Sequence, residues 1–126
     1  MITPPSAAVL DWLARWPEPC ATLLLQLRAQ LLDAQPLQER LNLGWQGLAF
    51  HHATAGYVCG LFPQRDGAVH LLFEHGVELH DPQQRLLGDG KRCRHLRFEA
   101  AGDVAGDELL GLLAEAVAIG QTRKRR

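Results

Sequence analysis

The feature that most constrains this chain is a change of hydrophobic period. Before Pro36 the apolar residues recur at helical spacing. Val9, Trp12, Leu13 and Trp16 fall at i, i+3, i+4 and i+7, one face of a helix. Cys20, Leu23, Leu24, Leu27 and Leu31 repeat that spacing, while Gln26, Arg28, Gln30 and Asp33 read as the polar side. Beyond Pro36 the period becomes two: Leu41, Leu43 and Trp45 alternate with Asn42, Gly44 and Gln46, as in a half-buried strand. Amphipathic helices followed by alternating strands must share one buried layer, which makes the chain α+β.

Punctuation residues set the expected boundaries. Thr3 or Ser6 caps the first helix, Pro17 stops it, Pro19 opens the second and Pro36 closes it. Strands are expected at Leu41–Trp45, Leu48–His52, Tyr57–Phe62, Ala68–Phe73 and Cys93–Phe98, with Asp66-Gly67 marking a hairpin. Glu74–Gly90 reads as a loop with one helical turn around Pro82–Leu87. Leu109, Leu112, Leu113, Ala116 and Val117 form the stripe of a last helix, with Asp107 and Glu108 at its positive end and Gly120 as its stop. Residues 1–120 thus read as one domain: two N-terminal helices, an antiparallel sheet of about five strands and a C-terminal helix packed on it. Residues 121–126 read as a flexible basic tail. Trp12, Trp16 and Trp45 are expected in the core or at its edge.

The net charge of −1 argues against a general electrostatic grip on nucleic acid or membranes. No apolar run reaches transmembrane length. Three cysteines without a CxxC pair suit free thiols in a reducing compartment, and the N-terminal residues lack the pattern of a signal peptide. The expectation is a cytoplasmic protein, with an uncovered sheet face favouring a homodimer.

The stretch from Leu79 to Phe98 carries a resemblance. Asp81-Pro82 leads to Leu86-Leu87, then Gly88, Gly90, Lys91, Arg94 and His95 run into a strand. Upstream, Glu39 and Gly44 lie in a Glu-x-Leu-x-Leu-Gly segment. This order resembles the signature of the YdhG-like family, small bacterial domains of largely unknown function, over residues 7 to 119. Asp89 stands where that family more often has threonine, and a proline usual after the Gly44 position is missing. The resemblance implies a two-layer α+β fold. Some members of the family are likened to frataxin, an iron-handling protein, which makes an iron chaperone one alternative.

The chemistry of Gly88-Asp89-Gly90-Lys91-Arg92-Cys93-Arg94-His95 can be read two ways. Two glycines let backbone amides approach a ligand, and Lys91, Arg94 and His95 offer charge-assisted hydrogen bonds to an oxyanion. The ligand would be a small anionic metabolite or an acidic protein partner. The same residues also read as an architectural turn whose cations pair with Asp81 or Glu39. It is not a Walker loop, since no Ser or Thr follows Lys91 and a strand comes next.

Six histidines invite a metal reading, yet none is spaced as HxH or HExxH, and the acids are too scattered for an iron-binding ridge. Ser6 is the only serine and no nucleophile elbow exists, so no catalytic residue is assigned and no cofactor is implied. A third reading is an enzyme using Cys93, its thiol activated by Arg92, Arg94 and His95, against a plain apolar filler. The reading that best fits is a non-enzymatic binding module.

Overall fold

The computed structural model describes residues 2–103 and 106–125. Helices α1 (Ala7–Leu13) and α2 (Glu18–Ala34) lead into strands β1 (Leu37–Asn42), β2 (Gly47–His52), β3 (Gly56–Pro63), β4 (Val69–Phe73) and β5 (Arg94–Phe98), followed by α3 (Gly106–Lys124). The strands form one antiparallel sheet in the order β1-β2-β3-β4-β5. The architecture is α+β, as the change of period predicts.

Local chemistry accounts for the boundaries. Ser6 caps α1, its Oγ accepting from the Val9 amide at 3.2 Å. Asp66 Oδ1 accepts from the Ala68 amide at 3.1 Å and Gly67 sits at φ +97°, which together turn β3 into β4. Leu24, Leu27 and Leu31 of α2 and Leu109, Leu113 and Val117 of α3 meet Leu48, Phe50, Leu61, Leu71 and Phe73 in a single core. All three helices lie against this face. Among the described residues no helix is long and apolar enough to cross a membrane.

Six local expectations are corrected. The first strand runs Leu37–Asn42, and residues 43–46 turn instead of extending it. Asn42 Oδ1 accepts from the Trp45 amide at 2.9 Å and Gln46 adopts φ +55°, so a side-chain bond outcompetes the ladder. Trp45, expected in the core or at its edge, is consequently 56% exposed, whereas Trp12 and Trp16 are buried.

Arg28, read as polar surface, is only 3% exposed. Residues 82–87 hold no helical turn. Asp81 accepts from the amides of Arg85 and Leu86, both at 2.9 Å, and the short 3-10 helix lies earlier, at Gly76–Glu78. Gly120 does not stop α3. A Cβ there would sit 2.9 Å from Ala55, so glycine allows the helix to press on the β2–β3 turn and run on to Lys124. The segment expected to be a flexible tail therefore begins as helix, with Arg123 paired to Glu78. Arg126 lies outside the described residues.

Candidate functional site

The glycine-rich loop is closed at its neck by a two-way backbone pair. The Leu87 amide donates to the His95 carbonyl at 2.7 Å and the His95 amide to Leu87 at 2.9 Å. Gly88 has φ +116°, which an L side chain rarely adopts. The Val77 amide donates to the Arg92 carbonyl at 3.0 Å, tying the loop to the 3-10 turn. At Gly76 an added Cβ would lie 2.4 Å from the Arg94 amide nitrogen, so the two backbones touch only because this residue is glycine. These contacts hold the loop in one shape before any ligand arrives.

The basic side chains of the loop differ sharply in what they do. Arg94 Nη1 donates to the carbonyls of Gly90 at 2.6 Å and Cys93 at 2.7 Å, bracing the loop internally. Arg92 pairs with Glu74 at 3.5 Å. Lys91 is exposed and, among the described residues, has neither an ion pair nor a side-chain hydrogen bond. The expected trio of Lys91, Arg94 and His95 thus reduces to one free cation.

His95 belongs to a different arrangement. Its ring stacks on that of His70, centroids 4.4 Å apart and planes 21° apart. Arg97 lies 3.2 Å from His70 Nε2 and donates to Asp66 Oδ2 at 2.6 Å, forming a chain from Asp66 to the histidine pair. Burial, then His95 and Arg97, push His70 below the ordinary imidazole value of 6.5, while Asp66 pulls weakly the other way. Burial and then Arg97 do the same to His95. Both rings are therefore neutral at neutral pH, and His95 supplies no charge for an anion. The hydrogen bond from Arg97 holds the Asp66 carboxyl below its ordinary value.

The two acidic candidates lie elsewhere. Asp81 forms no ion pair with the loop and instead caps the turn at Arg85 and Leu86. Glu39 sits on β1, at the opposite edge of the sheet from β5. Four strand spacings of ~4.8 Å, roughly 19 Å, separate those edges, so pairing with Lys91 or Arg94 is out of reach. Glu39 instead takes two hydrogen bonds from Arg28, at 2.6 and 2.7 Å. Arg28 also donates to the Thr3 carbonyl at 2.7 Å, tying the N-terminal segment to α2 and β1. Its position four after Leu24 and three before Leu31, on the apolar stripe, is the signal that could have revealed it.

Cys93 is half-buried. Burial first and then Glu74 push its thiol above the ordinary value, outweighing Arg92 and Arg94, the opposite of what a poised nucleophile needs. Among the described residues no three His, Cys, Asp or Glu side chains converge as metal ligands. An open cleft of about 660 Å³ lies between β5 and the start of α3, lined by Leu87, Leu96, Phe98 and Leu109. At its rim Arg85 pairs with Glu108 at 2.8 Å and Arg97 with Asp66, while Asp103 accepts from the amides of Glu99 and Ala100.

The loop and His95 were legible in the sequence, whereas the stack of His95 on His70 was not. The outward row on β4 was missed, although His70 alternates with Val69 and Leu71 in a way that places it opposite the core. No protein-family model, curated protein or solved structure matches the chain.

Proposed function

We propose that this chain is a non-enzymatic binding module that takes an anionic group at the Gly88–Cys93 loop. The group is a phosphate or carboxylate, carried by a small metabolite or by an acidic partner. Lys91 supplies the charge, and the exposed backbone of Gly88, Asp89 and Gly90 lets amides approach it. The observation that carries this reading is the unmatched Lys91 on a loop already braced by Arg94 and by the Leu87–His95 backbone pair. A pre-ordered loop loses little conformational entropy on binding, so one cation and a few amides suffice for weak, selective capture.

The test is thermal denaturation with phosphorylated metabolites and carboxylates, run on wild type and Lys91→Ala together. A ligand at about 100 times its Kd adds roughly 2.7 kcal/mol, a shift of several degrees in a domain of this size. The expected result is an anion-dependent shift in wild type that disappears in Lys91→Ala. Equal shifts in both proteins, or none in either, would remove the reading.

A further inference from the structure

We infer that mild acid strengthens the anion loop by making His95 a second cation beside Lys91, a regulation that rests on reading the loop as an anion site. His95 stands where the loop meets the sheet. Its backbone forms the neck with Leu87, through bonds of 2.7 and 2.9 Å. Its side chain reaches the first glycine of the loop: a Cβ built at Gly88 would lie 3.6 Å from His95 Nδ1 and 3.7 Å from Arg94 Cδ. The imidazole thus lies against the same backbone whose amides are offered to the anion. The ring is half-buried and makes no hydrogen bond among the described residues, so a nitrogen is free to take a proton.

The neighbouring ring decides which histidine charges first. Arg97 Nη1 lies 3.2 Å from His70 Nε2, and a guanidinium can only donate. His70 Nε2 is therefore the acceptor, and that ring is the neutral tautomer with its hydrogen on Nδ1. A proton on Nε2 would set two N–H groups against each other. Arg97 does not step aside easily, being held by Asp66 Oδ2 at 2.6 Å and by Glu99 at 3.5 Å. His95 meets no such obstacle. With the rings stacked at 4.4 Å, one charge on the pair also opposes a second, so the proton taken up stays on His95.

The other elements around the pair add little charge. Strand β3 presents Phe62 opposite His70, and β4 presents Leu72 opposite His95. On the loop side Arg94 lies beside Gly88 but is committed to the carbonyls of Gly90 and Cys93. Asp89 opposes Lys91 within the loop, and Arg92 is matched by Glu74, so one added charge changes the balance. Burial and then Arg97 hold His95 below 6.5, which keeps the ring neutral at pH 7.5 and charges it on acidification. A unit charge ~6 Å from a bound anion at a protein surface raises affinity about three- to tenfold.

Sulfate tests this, because it keeps both its charges across the range in which histidine titrates. It is titrated by NMR into wild type, Lys91→Ala and His95→Gln at pH 7.5 and pH 5.0, with circular dichroism to confirm that each protein is folded at both. In wild type the affinity should rise about three- to tenfold on going to pH 5.0. His95→Gln should match wild type at pH 7.5 and gain nothing in acid, and Lys91→Ala should not bind at pH 7.5. Linkage is reciprocal, so saturating sulfate should raise the titration midpoint of the His95 ring protons. Binding that needs Lys91 but is equal at both pH values would overturn the acid dependence and leave the anion loop standing. A rise in acid that persists in His95→Gln would overturn it as well. No sulfate binding at either pH would remove both readings.

Discussion

The two faces of the sheet use opposite means to stay ordered. On the helix side Phe50 and Phe73 are fully buried, and Arg28, the one buried charged group among the described residues, donates two hydrogen bonds to Glu39. On the open side the rings of Phe62, Tyr57 and Trp45 lie against glycine and one another, and the ion pairs remain in solvent. The first face generates stability; the second leaves its side chains half-buried or exposed. Removing atoms from each side should therefore give very different results.

The largest contrast is in aromatic truncation. Phe73→Ala should lose about 3–5 kcal/mol, because it leaves a cavity in close-packed surroundings. Phe62→Ala should lose about 1 kcal/mol or less by the same chemical denaturation, since water already reaches its ring. Equal losses would break the distinction between the faces.

Glu39→Ala follows closely, at about 3–5 kcal/mol, because Arg28 would remain buried without its counter-charge. Asp66→Asn on the open side, which keeps the oxygen that holds the β3–β4 turn, should leave the melting curve close to wild type, since the lost ion pair with Arg97 is exposed.

The loop offers a smaller contrast. Gly76→Ala should lose about 1–3 kcal/mol by forcing the two backbones apart, and should weaken anion binding with it. Lys91→Ala should abolish the anion response while leaving the melting temperature in ligand-free buffer unchanged.

Acid should act gradually. His51, His70, His75 and His95 all have folded values pushed below 6.5, chiefly by burial. Below that pH the unfolded chain binds more protons than the folded one, so stability is full above pH 6.5 and declines as pH falls through and below it. His70→Leu should flatten the decline measured from pH 7 to pH 5. An unchanged slope would show that the stacked pair is not a contributor.

The readable parts of this sequence were those in which one residue's chemistry decides the outcome locally. The stripe of α2, the alternation of β4 and the Asp66-Gly67 turn all follow from spacing and turn residues. Other features hinge on a partner distant along the chain. Arg28 looked like surface until Glu39 arrived from β1, and Arg94 looked like a ligand-binding cation until the loop folded its own carbonyls onto it. Gly120 reads as a helix stop in isolation, yet it is the point where α3 needs to approach Ala55.

The sequence by itself determined the class of fold, the order of its elements and the position of a glycine-rich basic loop, because period, capping and turn chemistry act over a few residues. Tertiary structure alone decided which arginines stay free, which edge Glu39 occupies and which face of the sheet is left open. Those outcomes follow from strand order and from distances of roughly 19 Å across a sheet, which no local pattern encodes.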